Sequence, residues 1–162
     1  MLAVIGRREL LATGAAATAG LLAACTSASS AGPEPTPTGA DDPDLALRGS
    51  VVEAESRLIA AYDATLAAHP SLRTLLAPFR DQHVAHRALV GVGGAVPAPS
   101  VTAPPVPSSP EPAVAALAAV EREAATARAR DAVGAARWQL ARELGLIGGS
   151  EAAHHALLRE SS

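Results

Sequence analysis

The sequence predicts an all-α fold, a four-helix bundle, and three observations point to it. The apolar content is mostly alanine, with one Phe, one Tyr and one Trp in 162 residues. Alanine is the strongest helix former, and it lacks the branched and aromatic surface that strands pack with. From Asp44 onward the larger apolar residues recur every three or four positions, the period of one helix face. A proline-rich stretch over residues 91–112 then divides the helical part into two halves.

The first helix is expected over "DLALRGSVVEAESRLIAAYDATLAAH", with Asp44 as N-cap and His69-Pro70 as its end. Its stripe is Leu47, Val51, Glu55, Leu58, Tyr62 and Leu66. The second helix is expected over "SLRTLLAPFRDQHVAHRALV", with Ser71 as N-cap, a kink at Pro78 and Gly91 as its end. Its stripe is Leu72, Leu76, Phe79, His83, His86 and Val90. A hairpin between antiparallel helices needs only about two to eight residues. The 91–112 stretch is far longer: extended at roughly 3 Å per residue it covers about 60 Å, twice the length of a 20-residue helix. It is therefore read as a crossover that starts the third helix parallel to the second. The third helix is placed over roughly Ala113 to Ala132 and the fourth over roughly Ala135 to Arg159, with a break allowed at Gly148-Gly149. The fourth carries the stripe Leu140, Leu144, Ile147, Glu151, His154 and Leu158.

Shifted by 68 residues, the helical part aligns with itself without a gap. The matches beyond alanine are Val52/Val120, Glu53/Glu121, Glu55/Glu123, Asp63/Asp131, Leu72/Leu140, Leu76/Leu144, His86/His154 and Leu89/Leu157. Each half then reads as one helical hairpin. Glu55, His83, His86, Glu151 and His154 all fall in apolar stripes, where an isolated charge is costly unless it is paired or bound to a metal. In the third helix the stripe is blurred by alanine. Glu121 faces inward almost as well as Glu123, and the repeat, which maps Glu123 onto Glu55, selects Glu123. Arg57, Arg87 and Arg128 are expected on solvated faces, His69 and His155 in solvent, and Trp138 in the packing.

The N-terminus "MLAVIGRRELLATGAAATAGLLAAC" reads as an address. Arg7 and Arg8 are followed by an uncharged, small-to-apolar run too short to span a bilayer. Leu22-Ala23-Ala24-Cys25 resembles the lipobox of bacterial lipoproteins, in which the signal peptide is cut before the cysteine and the cysteine is lipidated. This accounts for a single Cys, which has no partner for an internal disulfide. "GRRELLA" resembles a twin-arginine export signal, with Gly6 where Ser or Thr is usual. The expected organisation is a signal peptide over 1–24, a lipidated and disordered tether over 25–43, and the helical domain over 44–162. Lipidated Cys25 implies a chain held on the outer face of the cell membrane.

With Glu55, His83-x-x-His86, Glu123 and Glu151-x-x-His154 in view, the chain resembles the ferritin-like family, and more narrowly a ferritin-like domain of unknown function found in high-GC bacterial lipoproteins. That fold holds two metals between a Glu on each of two helices and a Glu-x-x-His on each of the other two. The resemblance covers roughly residues 45 to 160. It implies Glu55, His83, His86, Glu123, Glu151 and His154 as ligands of one or two divalent ions, with iron, zinc or manganese as candidates. His83 departs from the pattern, which has a carboxylate there. Three Glu and three His favour nitrogen-tolerant ions such as zinc, Fe(II), copper or nickel over an oxo-bridged ferric pair.

The alternative reading is a non-catalytic envelope lipoprotein that binds a partner or ligand and keeps a buried Glu–His network as a degenerate metal site. Other classes are not supported. The net charge is −3, and no basic patch with aromatics is present for nucleic acid. "GVGG" at 91–94 lacks the flanking strand of a phosphate cradle. No Ser or Cys stands beside a His and an acid in a hydrolase-like context.

Overall fold

Alanine-rich segments striped with Leu, Val and Tyr do form four helices. The computed structural model describes residues 42–91 and 96–162. The signal peptide, Cys25 and the tether up to residue 41 lie outside the described residues. Helix α1 spans Leu45–Ala68. A single 3-10 turn, Pro70–Leu72, leads into α2, Arg73–Val90. Helices α3 and α4 span Pro110–Gly134 and Trp138–Glu160. The described residues contain no strand.

The boundaries differ from expectation where local chemistry allowed two answers. Helix α3 begins at Pro110 rather than Ala113. Pro110 and Pro112 lie in its first turn, where backbone N–H groups have no intrahelical acceptor, so proline costs nothing there. Ser71 falls within the 3-10 turn and α2 continues through Pro78. Helix α4 runs unbroken through Gly148-Gly149. The Ser150 hydroxyl, just after the two glycines, donates to Gln82 Oε1 on α2 at 3.0 Å. Trp138 is exposed at the start of α4 rather than packed.

Helices α1 and α2 form one hairpin, and α3 and α4 form the other. The crossover runs along the seam of α1 and α3. Val96 packs with the cluster around Val51 and Val52 at the start of α1. Thr102 and Pro104 lie beside Ala54 and Ala124. Pro105 to Pro107 lie beside Thr65 and Ala113, and His69 Nε2 donates to the Pro107 carbonyl at 2.8 Å. Helix α3 thus starts where α1 ends, antiparallel to α1 and parallel to α2. The apolar side chains separate into two clusters. One holds Tyr62, Leu66, Leu76, Leu117 and Leu158; the other holds Val51, Val52, Val90, Leu140, Leu144 and Ile147. Between them lies a polar layer.

The second cluster is closed off by a charged clasp. Asp42 is buried, two residues before the expected start of the domain. Its carboxylate pairs with Arg48 Nε at 2.9 Å, and Arg48 also donates to the carbonyl of Val90, the last residue of α2, at 3.2 Å. Asp44 precedes α1 as expected, but its side chain makes no cap bond there. Instead its two oxygens accept the backbone N–H groups of Ala136 at 2.7 Å and Arg137 at 3.0 Å, just ahead of α4. Charge-assisted hydrogen bonds of this kind contribute about 1.5–3 kcal/mol when buried. Asp44→Ala should lower the unfolding free energy by about 1–3 kcal/mol, read as a shift of the urea midpoint at unchanged slope.

Candidate metal centre

The polar layer is built from about one turn each of α1, α2 and α4 and two turns of α3. Glu55 comes from α1, His83 and His86 from α2, Glu121 and Arg128 from α3, and Glu151 and His154 from α4. Glu55, His83, Glu121 and Glu151 are 0% exposed and His154 is 2% exposed, so the inward reading of the stripes holds for α1, α2 and α4. His86 is partly buried.

On α3 the structure corrects the sequence reading. Glu123 is exposed and lines a surface hollow with Arg57 and Ala127, while Glu121 takes the inward place. Glu121 lies 66 residues beyond Glu55, whereas Glu151 and His154 lie 68 beyond His83 and His86. The second hairpin therefore has two more residues between its inward acid and its inward pair. Along an α-helix, two residues correspond to about 200° of rotation, enough to exchange the inner and outer faces.

Arg128 is a second correction. It is 2% exposed rather than solvated. It stands seven residues, two turns, after Glu121 and so on the same face. Its burial is permitted by α4: a Cβ on Gly148 would lie 2.9 Å from Arg128 Cβ, so a side chain there would push the two helices apart. His69 and His155 do not join the centre. Each bonds a carbonyl oxygen, of Pro107 and Ala118 respectively, at 2.8 Å.

His83 is the hub. Its Nδ1 is 2.9 Å from Glu55 Oε2 and its Nε2 is 2.8 Å from Glu121 Oε1. Glu121 Oε1 also accepts the Tyr62 hydroxyl at 2.5 Å and lies 3.2 Å from His154 Nδ1. His154 Nε2 in turn lies 3.0 Å from Gln82 Oε1. His86 Nδ1 approaches Glu55 Oε2 only to 3.9 Å. Arg128 Nε is 3.6 Å from Glu151 Oε1 and 4.0 Å from Glu55 Oε1, and its Nη1 is held by Asp131 at 2.5 Å.

Several buried atoms make no hydrogen bond: Glu55 Oε1, His86 Nδ1, Glu121 Oε2 and both oxygens of Glu151. Two sets of side chains bring one ligand atom each to within 4.8 Å of the others: Glu55, His83 and His86, and His83, Glu121 and His154. Both sets could hold a metal ion. Glu151 belongs to neither.

The electrostatics follow from burial and partners. Burial alone would lower the His83 pKa, but hydrogen bonds to Glu121 and Glu55 and their charges outweigh it and push it up to about 9. Burial would raise Glu121, but hydrogen bonds from His154 and His83 bring it down to about 2. Burial, reinforced by the Glu55 charge, drives Glu151 up to about 8. Burial lowers His86 and raises Tyr62, the latter aided by the Glu121 carboxylate. Comparison with protein-family models, curated proteins and solved structures gives no match to this chain.

These shifts fix a pH dependence for the metal-free protein. Glu151 ionises near 4.5 when unfolded and near 8 when folded, and His83 loses its proton near 6.5 unfolded and near 9 folded. In both windows the folded chain binds more protons, so stability falls as pH rises. His86, lowered by burial, works in the opposite sense below its unfolded value of 6.5, so in thermal melts with a chelator present the midpoint should decline most clearly from about pH 6.5 to about pH 9. A His83→Gln, Glu151→Gln double variant should flatten that decline.

Proposed function

We propose that the chain is an envelope lipoprotein, anchored through Cys25, whose ferritin-like bundle holds a divalent metal ion in its central polar layer. The observation that carries this reading is the two Glu/His sets whose ligand atoms lie within 4.8 Å of one another, in a layer where Glu55 Oε1, His86 Nδ1 and Glu121 Oε2 are buried without a hydrogen bond. Buried polar groups in a protein interior are seldom left unpaired, and a cation is the simplest partner for several acids and imidazoles at once. His83, Glu121 and His154 are the side chains best enclosed for the task, with Glu55 and His86 beside them. When bound, such an ion would supply Lewis acidity or electron transfer at the centre of the bundle. The chain's own residues exclude water with two apolar clusters and hold the imidazoles in place. Among the described residues no helix is long and apolar enough to cross a membrane, so attachment to a bilayer falls to the N-terminal segment.

Metal analysis of the full-length chain, purified without a histidine tag, tests the reading against a His83→Ala, His154→Ala variant. Near-stoichiometric metal is expected in the wild type and none in the variant; equal traces in both would remove the proposal. Bound ion should also raise the melting midpoint, since excess ligand at about 100 times its Kd stabilises by about 2.7 kcal/mol.

One observation favours a second reading. His83, its pKa pushed up to about 9, and Arg128 already provide positive charge next to the three acids. A metal-free polar layer inside a partner-binding module is consistent with that balance, and the same metal analysis separates the two readings.

The anchor has its own test. Cys25→Ser should move the protein out of the membrane fraction. Mass spectrometry of the wild type should find the mature N-terminus at Cys25, carrying a lipid thioether.

A further inference from the structure

We propose that the centre is asymmetric: it takes one divalent ion, between His83 Nε2, Glu121 and His154 Nδ1, and Arg128 is a fixed cation beside Glu55 that keeps the second set, Glu55, His83 and His86, from holding another. The inference rests on the metal-binding reading above and assigns its ligands.

The first support is the outer hydrogen bonding. An imidazole that ligates a metal through one nitrogen usually donates its other N–H to a neighbouring acceptor, which fixes the ring and its tautomer. Both imidazoles of this set have that acceptor in place. His83 Nδ1 is 2.9 Å from Glu55 Oε2, and His154 Nε2 is 3.0 Å from Gln82 Oε1. Each ring then turns its remaining nitrogen towards Glu121 Oε1, His83 at 2.8 Å and His154 at 3.2 Å. Glu121 keeps its Oε2 buried and without a hydrogen bond. All three residues are buried.

The second support is the opposite side of His83. There Arg128 Nε lies 3.6 Å from Glu151 Oε1 and 4.0 Å from Glu55 Oε1. A guanidinium keeps its charge at any working pH. A dication held by Glu55 and His86 would meet that fixed like charge in a medium that screens poorly. Arg128 is also held in its place. Asp131, one turn along α3, takes its Nη1 at 2.5 Å, and the missing side chain of Gly148 makes its room on α4. Glu55 is therefore a positioning residue for His83, and Glu151 is the counter-charge of Arg128.

The test is Co(II) titration of the full-length chain in detergent, with metal per chain from elemental analysis and helicity from circular dichroism. The wild type should bind one ion. Glu121→Gln and His154→Ala should lose it with helicity retained. Glu151→Gln should keep it with affinity changed only a few-fold, and Arg128→Lys should keep the count at one. Glu55→Gln should weaken binding about 10–100-fold, as loss of a partner to a ligating imidazole does. Arg128→Met should bind two ions, and adding His86→Ala should return the count to one. Two ions in the wild type, loss of the ion in Glu151→Gln, or a folded Arg128→Met that still binds one would overturn the inference. If Arg128→Met does not fold, the Glu151→Gln and wild-type counts decide. A wild type that binds no ion at all overturns the metal-binding reading beneath it instead.

Discussion

Three carboxyl groups share the middle of this bundle, and none of them reaches water. Burying charge is expensive unless it is paired and hydrogen-bonded, so the layer around Glu55, Glu121 and Glu151 must supply positive charge, donors or protons. Each acid is treated differently. Glu121 gathers Tyr62, His83 and His154 on one oxygen. Glu55 takes the other edge of the His83 ring. Glu151 has neither; burial favours its protonated form, and Arg128 is its nearest cation. The asymmetry between the two sides of His83 follows from these separate solutions.

That layer dictates what the helices around it may contain. Arg128 needs space that no side chain on α4 may fill, so Gly148 sits opposite it despite costing about 1 kcal/mol against alanine within a helix. The two apolar clusters lie on either side of the layer and keep it dry. At one end the Asp42–Arg48–Val90 clasp and the Asp44 bonds to Ala136 and Arg137 tie the start of α1 to the end of α2 and to the start of α4.

The helices and the crossover were legible because their signals are local. The stripe Leu140, Leu144, Ile147, Glu151, His154, Leu158 is buried throughout, and each of these residues was placed inward from spacing alone. The 68-residue repeat carried α2 onto α4 correctly: Leu76 and Leu144, His83 and Glu151, and Val90 and Leu158 are all buried. It misled on α3 because an ungapped alignment of alanine-rich sequence cannot show two extra residues in a connection. Glu123 was chosen by homology to Glu55, while the packing followed an offset of 66 and chose Glu121. Val114, Leu117 and Glu121, at spacings of three and four, already mark that face, and Arg128 continues it two turns on. Arg128 was missed because arginine is ordinarily a surface residue. Only its register with Glu121, together with a glycine on the facing helix, could have marked it.

The same geometry would let the proposed metal centre and a stable metal-free fold coexist in one chain. Small metal-dependent domains are unfolded without their ion because the ion contributes the folding energy. Here the apolar clusters on either side of the layer are complete without it. Within the layer, the proton that bridges His83 to Glu121 and the guanidinium of Arg128 already oppose the buried acids. One of these positive charges is exchangeable and the other is not. An ion bound at His83 Nε2 would replace a proton and keep Glu121 as its partner, whereas the Arg128 guanidinium has no proton to give up at working pH. Folding would therefore not depend on metal, and the proposed ion would find its imidazoles and carboxylate already in place.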